Sequence, residues 1–397
     1  MEKLAINGGT PVRETKLFYG HQYIDEADIR AVTEVLKSDF LTCGPKIGEL
    51  EEKLCRLTGA KYAVVCSNGT AALHIACQAA GIGEGDELIT TPITFAASAN
   101  CALYCGATPV FADINEETYN IDPASVKEKM TERTKAVVAV DFTGQAVELD
   151  ELLALCHERG AVLIEDGAHS IGTTYKGRAV GSVADMTTFS FHPVKTVTGG
   201  EGGAVLTNSE AYYKKLLLYR AHGITRDPAQ LKRESDGPWY YEQIALGMNY
   251  RMTDMQAALI ISQLDKIERF GRRRKEIVEM YNEAFSQMPE LFVQREIPES
   301  DTTRHLYILR IRPEKLTIGR KEFFDCMAAE NICCNVHYIP VYRHPYYEAL
   351  GYPKGLCPKA EKLYEEILSL PLYYSLTDGD VQDVIHAVKK IVENYRK

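Results

Sequence analysis

Short apolar runs alternate with helix-like stretches between Lys61 and Asn208. Seven of these runs are rich in β-branched residues and predict strands at 62–66, 87–91, 108–113, 136–141, 162–166, 187–191 and 204–207. The stretches between the earlier runs predict helices at 70–80, 95–104, 123–130 and 149–159. Such alternation is typical of an α/β fold, in which helices cover both faces of a mostly parallel sheet. We therefore expect a mostly parallel, seven-stranded sheet.

The last two predicted strands differ from the others because only a glycine-dense segment, ending in Gly199-Gly200-Glu201-Gly202-Gly203, connects them. This connection is too short for a crossover helix, so the two strands should pair antiparallel. Lys195 lies in the same connection. We expect it at the edge or mouth of the sheet and not on a helix face.

The pattern changes after Asn208, where longer helical stretches and fewer strands follow. The first predicted element is one long helix at 253–287, with Thr253 as its N-cap and Gly271 as a position where it could kink. Strands at 292–297 and 306–311, a helix at 320–331, a strand through His337 and Tyr338, and a helix at 381–395 are predicted to follow. We expect a large domain at residues 1–250 and a smaller α+β domain at residues 251–397.

Composition narrows the range of partners. The 397 residues carry a formal net charge of −10, which argues against nucleic acid or an anionic membrane as the main partner. No apolar run reaches the length of a transmembrane helix. Eleven cysteines occur without a Cys-x-x-Cys pair or zinc-site spacing. They indicate small buried side chains in a reducing cytoplasm, and no metal site is expected.

The strand predicted at 162–166 ends on Asp166, and His169 follows three residues later. Ligands of open α/β sheets bind beyond the carboxyl ends of the strands. A buried aspartate there needs a cation, and the protonated pyridine nitrogen of pyridoxal phosphate (PLP) would attract it by on the order of 5 kcal/mol before desolvation. An acid and Lys195 at neighbouring strand ends are what a PLP enzyme requires. Taken singly, Asp166 could instead be an N-cap or a member of a structural ion pair, His169 a core residue and Lys195 a surface charge.

Three further positions suit a phosphorylated aromatic cofactor. Thr70 and Ala71 open a helix directly after a strand, and a helix N-terminus binds anions, although a simple N-cap would look the same. Phe95 could stack on a flat heterocycle or belong to the core. Ser190, five residues before Lys195, could reach a phosphate.

Several ordered motifs together carry a resemblance that runs nearly from end to end. They are LAINGGTPVR at 4–13, LTCGP at 41–45, SNGTA at 67–71, TPITF at 91–95, EDGAH at 165–169, FSFHPVKTVTGGEGG at 189–203, GMNYRMTD at 247–254 and NVHYIP at 335–340. With these motifs the chain resembles the DegT-type nucleotide-sugar aminotransferases, which are fold type I PLP enzymes.

The resemblance implies a role for each matching residue. Lys195 would form the Schiff base with PLP and later move the proton, Asp166 would pair with the pyridine nitrogen, and His169 would lie near the ring oxygen. Phe95 would stack on the cofactor ring, and Thr70, Ala71 and Ser190 would bind its phosphate. Asn249 would reach the phosphate of the neighbouring protomer in an obligate homodimer, with Arg251 nearby. His337 and Tyr338 would line the site of the sugar nucleotide.

Within the family, FHPVK at 191–195 and SANCALYCG at 98–106 are most similar to the C4 aminotransferases of pseudaminic acid synthesis. The implied reaction moves an amino group from glutamate to a 4-keto-6-deoxy nucleotide sugar. Other 3- or 4-aminotransferases of dTDP- or GDP-sugars and cyclitol aminotransferases remain alternatives. Lys195 argues against the related PLP-dependent sugar dehydratases, which carry histidine at that position. A non-catalytic regulator would be expected to lose Lys195 or Asp166, and a nicotinamide oxidoreductase needs a Gly-x-Gly-x-x-Gly turn that this sequence lacks.

Overall fold

The computed structural model describes residues 2–397 and has a seven-stranded sheet at its centre. Across the sheet the strands follow the order Tyr62–Cys66, Gly203–Thr207, Met186–Ser190, Val162–Asp166, Thr134–Val140, Glu87–Thr90 and Thr108–Phe111. Gly203–Thr207 is antiparallel to both of its neighbours, and the other pairs are parallel. The predicted mostly parallel sheet and its antiparallel pair are therefore confirmed.

Helices cover both faces of this sheet, as the alternation predicts. Val64 packs in one core cluster with Ile75 of the helix Gly69–Ala80. Its neighbour Val65 packs in a second cluster with Leu54 of the helix Pro45–Thr58. Successive strand residues point to opposite faces, so each face buries its own apolar set. The remaining helices around the sheet are Glu26–Leu36, Ala97–Tyr104, Pro123–Lys129, Leu149–Glu158, Glu210–Arg220 and Asp254–Leu264.

A second region is built on a three-stranded antiparallel sheet of Leu291–Val293, Tyr307–Ile311 and Ile367–Leu370. Its core also contains Leu4 and Leu17 from the start of the chain. The helices of this region are Ile267–Phe285, Arg320–Ala329, Pro345–Ala349, Pro358–Glu366 and Asp378–Tyr395. The division of the chain at residue 250 stays a prediction.

The helix predicted at 253–287 is wrong as a single element. Thr253 is the N-cap as predicted, but the stretch forms two helices, Asp254–Leu264 and Ile267–Phe285. The break falls at Lys266, whose ammonium group turns inward to the buried carboxylate of Asp28 at 2.6 Å. Gly271 lies inside the second helix and does not kink it. The helix is thus interrupted at a residue that pairs with a carboxylate more than two hundred positions away.

The strand predicted through His337 and Tyr338 is also wrong. Residues 336–340 follow an irregular course, and only Asn335 makes an isolated bridge, to Ser369. The imidazole Nδ1 of His337 lies 2.7 Å from the Ser369 hydroxyl instead of on a free sheet face. The physical reason is that no further ladder partner meets this segment within residues 2–397, which leaves both rings at a cavity wall.

The short strands complete the description. Leu17–Phe18 pairs with Ile332–Cys333, and Ile224–Thr225 pairs with Glu242–Gln243. A third small sheet has three strands, Ser300–Asp301, Thr174–Tyr175 and Arg178–Ala179. In the part of the chain that the structure describes, no helix is both long enough and apolar enough to span a membrane.

Candidate active site

A cavity of about 1400 Å³ opens at the carboxyl ends of the parallel strands. Asp166 and Ser190 are the last residues of adjacent parallel strands, so the sheet itself brings them to the same edge. Nine of the eleven predicted site residues line this cavity: Thr70, Ala71, Phe95, Asp166, His169, Ser190, Lys195, His337 and Tyr338. The structure thus joins positions that are up to about 270 residues apart in the sequence.

Asp166 is a buried carboxylate with two protein donors. The Ser98 hydroxyl donates to its Oδ2 at 2.7 Å, and the Ala168 N–H donates to its Oδ1 at 3.2 Å. Burial raises the pKa of Asp166, while these two hydrogen bonds and the charge of Lys195 oppose the rise. A cation placed against this carboxylate would be strongly favoured. Ser98 was not among the predicted residues, because its partner is 68 positions away.

Lys195 lies in the turn after the strand Met186–Ser190, where its N–H donates to the carbonyl of His192 at 2.9 Å. Burial lowers the pKa of Lys195 to about 8, and the charge of Asp166 opposes this fall. A lysine with such a pKa has an appreciable neutral fraction near neutral pH. The neutral amine is the form that can attack a carbonyl carbon or accept a proton.

The start of the helix Gly69–Ala80 faces the same cavity. Its N-cap is Asn68, whose side-chain oxygen accepts from the Ala71 N–H at 2.8 Å, so that donor is already satisfied. Gly69 approaches Ser190 so closely that a Cβ there would lie 2.9 Å from the Cβ of Ser190. The close approach places the Ser190 hydroxyl beside a helix N-terminus, which is a favourable place for a phosphate.

His169 forms a second wall with Tyr338. The Tyr338 hydroxyl lies 3.4 Å from His169 Nε2. Burial, together with the charges of Lys195 and His337, lowers the pKa of His169 well below its ordinary value. Burial followed by the charge of Lys195 lowers the pKa of His337 to about 4. Both rings are therefore neutral near pH 7 and available as hydrogen-bond partners.

Phe95 lines the cavity with its side chain 64% exposed. Of the two interpretations that the sequence allowed, a core position is excluded by this exposure. An aromatic face that stays open towards a cavity is suited to stacking on a planar ligand.

Asn249 and Arg251 are the two predicted residues that the structure does not bring to the cavity within the described chain. Asn249 is exposed, and its backbone forms an isolated bridge with Ala221. Tyr250 between them does reach the cavity wall, and its hydroxyl lies 3.1 Å from His74 Nδ1.

The outer part of the cavity wall was missed by sequence reasoning. Its residues include Tyr19, Asn100, Tyr104, His344, Tyr346 and Tyr347. The Tyr347 hydroxyl donates to Asn100 Oδ1 at 2.7 Å, so part of this wall is braced internally. The aromatic density of residues 338–347 was a usable signal. Nothing in the sequence connects Tyr19 with that segment.

The residues present fit PLP. Asp166 offers a buried carboxylate for the pyridine nitrogen, Lys195 an amine of lowered pKa, and Ser190 with the helix N-terminus a place for the phosphate. Residues 2–397 contain no cluster of three or more His, Cys, Asp or Glu side chains arranged to hold a metal ion.

The family model for DegT/DnrJ/EryC1/StrS aminotransferases matches residues 22–389. The chain belongs to this family. It is a PLP-dependent sugar aminotransferase, which confirms the predicted family, enzyme class and cofactor. Two of its relatives are the spore coat polysaccharide biosynthesis protein SpsC of Bacillus subtilis and the UDP-4-amino-4,6-dideoxy-N-acetyl-β-L-altrosamine transaminase of Campylobacter jejuni. SpsC is 42% identical to this chain, and the match covers 94% of this chain and 97% of SpsC. The transaminase is 37% identical, and the match covers 96% of this chain and 98% of the transaminase.

Solved structures of other aminotransferases share the fold of this DegT-family enzyme. PseC of Helicobacter pylori, an aminotransferase involved in pseudaminic acid biosynthesis, is 33% identical with a TM-score of 0.88, over 96% of this chain and 100% of its own. Spr1654 of Streptococcus pneumoniae, assigned as a sugar aminotransferase and solved in its PLP form, is 31% identical with a TM-score of 0.88, over 96% and 99%. It has also been solved in its pyridoxamine phosphate form. The predicted fold of the PLP-dependent transferases is thereby confirmed.

Proposed function

We propose that this aminotransferase moves an amino group from glutamate to C4 of a UDP-linked 4-keto-6-deoxy sugar. The specific acceptor would be UDP-2-acetamido-2,6-dideoxy-β-L-arabino-hexos-4-ulose, as in pseudaminic acid synthesis. The observation that carries the proposal is the single cavity that joins Lys195 and Asp166 to an aromatic outer wall. The 37% identity to the Campylobacter jejuni transaminase over nearly the whole chain supports this choice of sugar.

The size of the cavity supports a nucleotide sugar as the second ligand. Ligand pockets usually enclose about 300–1000 Å³. The cavity here measures about 1400 Å³, which leaves space beyond the cofactor for a substrate with a base and a sugar. Tyr104 and Tyr346 offer exposed rings to a pyrimidine base, and Asn100 and His344 offer polar groups to the sugar.

The chemistry divides among a few side chains. When bound, PLP supplies an electron sink for the negative charge that develops when a proton leaves the amino-bearing carbon. Asp166, held by Ser98, would keep the pyridine nitrogen protonated. Lys195 would hold the cofactor, and its neutral amine would then take and return the proton. His169 would bind the ring oxygen, and Thr70, Ala71 and Ser190 the phosphate. The Ala71 N–H would have to exchange its bond to Asn68 for one to the phosphate.

We also propose a homodimer that works in the cytoplasm. Asn249 is exposed and lies beside Met248, whose side chain is 40% exposed. Such a segment is suited to reach the phosphate of a neighbouring protomer, with Arg251 close by. The eleven free cysteines suit a reducing compartment.

Hybrid dimers test the shared site. Neither Asn249→Ala nor Lys195→Ala homodimers should turn over at the normal rate. Mixing them should restore up to about a quarter of the activity by random pairing, because one site in each mixed dimer has both residues intact. Sedimentation should give a dimer for each variant. A fully active Asn249→Ala protein would contradict the shared site.

Product analysis tests the substrate. Purified enzyme is given ¹⁵N-labelled glutamate and a panel of UDP-, dTDP- and GDP-linked 4-keto-6-deoxy sugars, with Lys195→Ala as the matched control. We expect the label at C4 of the UDP-linked N-acetyl sugar, with a specificity constant at least about a hundredfold above that of the dTDP and GDP sugars. Preferential labelling of a dTDP or GDP sugar, or labelling at C3, would overturn the proposed substrate and leave the family assignment intact.

A further inference from the structure

His305 lies directly behind His169, on the side away from the substrate. The two imidazole centroids are 4.4 Å apart with their planes tilted by 45°. His305 is 4% exposed and, among the residues described, does not line the cavity. His305 therefore packs against a residue that lines the cavity but does not line the cavity itself.

His169 has few other restraints on its ring. Its Nδ1 is buried and has no hydrogen-bond partner within residues 2–397, and its Nε2 meets only the Tyr338 hydroxyl at 3.4 Å. The aromatic neighbours Phe142 and Tyr338 have centroids farther away, at 6.3 and 6.4 Å. The packing contact with His305 is the shortest of the three, so the ring of His305 restricts the plane of His169 more closely than the other two rings do.

The backbone of His305 is held in place, while its ring Nδ1, like that of His169, has no hydrogen-bond partner within residues 2–397. Its N–H donates to the carbonyl of Thr143 at 2.8 Å. Thr302, in the same segment, donates its hydroxyl to the Gly144 carbonyl at 2.7 Å. Gly144 has a φ of 101°, and a Cβ there would lie 2.9 Å from the His169 carbonyl oxygen and 3.0 Å from the His305 nitrogen. The turn at Gly144 thus brings the two histidines together.

Arg274 completes this support from the helix Ile267–Phe285. Its Nη1 donates to the carbonyls of Arg304 and His305 at 3.2 Å and of Leu372 at 3.0 Å. It is 3% exposed, and burial lowers the pKa of its guanidinium to about 10. The Nη1 group of this buried guanidinium thus binds the carbonyls of His305 and of the residue before it, which holds the backbone of that segment.

We propose that His305, anchored by Arg274, is a positioning residue that fixes the plane of the His169 ring at the cofactor end of the cavity. The inference rests on the proposed role of His169 towards the ring oxygen. The groups that face the two rings are Lys195, His337, Tyr338 and Arg274. Burial, and after it the neighbouring groups, lowers the pKa of both rings well below its ordinary value, so both rings are neutral near pH 7.

The test compares His305→Phe, His305→Leu and His305→Ala with His169→Ala in the PLP-loaded enzyme. The readouts are the rate of cofactor release, the visible absorption of the bound cofactor as a function of pH, and kcat and KM for glutamate. We expect His305→Leu and His305→Ala to release cofactor about tenfold faster, to shift the absorption titration in the direction of His169→Ala, and to lower kcat with little change in KM. His305→Phe restores a flat ring and should behave like the unmodified enzyme.

Tyr307→Phe is the matched structural control. It removes the hydrogen bond of a buried hydroxyl to Asn282 at 2.9 Å, two residues along the chain and away from the cavity. It should lower the melting temperature without changing the absorption titration. If His305→Leu folds and keeps the normal titration and release rate, the positioning role is overturned. If His169→Ala leaves them unchanged, the assigned role of His169 fails as well.

Discussion

The two ends of the cavity are built in different ways. At the inner end, Asp166 and Ser190 terminate adjacent strands, and the parallel register of the sheet sets their spacing. At the outer end, Tyr19 comes from the start of the chain and Tyr346 from a short helix beyond an irregular segment. The inner end is fixed by hydrogen bonds of regular structure. The outer end is an assembly of side chains from segments that are far apart in sequence.

This difference separates the part of the cavity that carries out the reaction from the part that determines which substrate is accepted. A sheet edge holds charged groups at constant distances, as proton transfer and charge stabilisation require. Connecting segments tolerate replacement of residues without moving the sheet, so they can change which ligand is accepted. Substitutions at the inner end should therefore act on kcat and on the cofactor, and substitutions at the outer end on the KM for the sugar.

The largest effect is expected for Lys195→Ala. Loss of the amine removes both the attachment of the cofactor and the proton carrier, so turnover should fall by at least about ten-thousandfold. Pyridoxamine phosphate should still bind, because Asp166 and the helix N-terminus are unchanged. Steady-state rates and equilibrium dialysis measure the two properties. Lys127→Ala, on an exposed helix position, is the control, and normal turnover by Lys195→Ala would remove the assignment.

Asp166→Asn and Asp141→Asn compare two buried acids at the ends of neighbouring strands, since Asp166 is the last residue of its strand and Asp141 directly follows Val140. Burial and the charge of Glu165 raise the pKa of Asp141 well above its ordinary value, which favours the uncharged acid, and Asp141 does not line the cavity. Asp166 faces the cavity and would lose its charge next to the cofactor. We expect about a thousandfold lower kcat for Asp166→Asn.

For Asp141→Asn we expect a change of about 1 kcal/mol or less in the free energy of unfolding, and nearly normal kcat. Denaturant unfolding and steady-state kinetics measure both. Similar kcat losses in the two variants would show that the inner end depends on buried acids in general and not on the acid at the cavity.

The pH dependence of cofactor uptake is the next effect in size. Only the neutral amine of Lys195 attacks the aldehyde, and its pKa is lowered to about 8. Below this pH the amine is protonated, so the uptake rate of apoenzyme should fall about tenfold per pH unit and level off above about 8. Stopped-flow absorbance from pH 6 to 9.5 measures it. A midpoint near 10.5, the ordinary value for lysine, would contradict the burial of this amine in the apoenzyme.

The same contrast explains what the sequence could predict. The seven strands were found to within two residues because runs that are buried on both faces are apolar throughout. Lys195 and Asp166 could be paired because ligands of such sheets bind at the carboxyl ends of the strands. The reasoning worked where local pattern determines position.

The reasoning from the sequence failed where contacts with residues distant in the sequence set the position of a residue. The helix break at Lys266 coincides with an ion pair to Asp28, which lies 238 positions away. Ser98 and His305 matter through Asp166 and His169, and no local spacing relates these pairs. Tyr19 reaches the outer wall only because the start of the chain pairs with Ile332–Cys333 in the second region. Such contacts follow from the tertiary packing and leave no periodic signal in the sequence.

The smallest predicted effect distinguishes the two ends with a matched pair of aromatic residues. Phe95 and Tyr346 both line the cavity and are almost equally exposed, at 64% and 65%. An aromatic stacking contact is worth about 0.5–1.5 kcal/mol, and the upper end of this range corresponds to about tenfold in an equilibrium constant. Phe95→Ala should therefore release cofactor about tenfold faster while the KM for the sugar changes little.

Tyr346→Ala should show the reverse, with an approximately tenfold higher KM for the nucleotide sugar and unchanged cofactor release. The glutamate half-reaction, followed by loss of the visible absorption, should stay normal, because it does not use the outer wall. Tyr346→Phe retains the ring and should keep the normal KM, which separates stacking from hydrogen bonding by the hydroxyl. If Tyr346→Ala instead slows the glutamate half-reaction, the two ends of the cavity are coupled, and the division between a chemical end and a selective end does not hold.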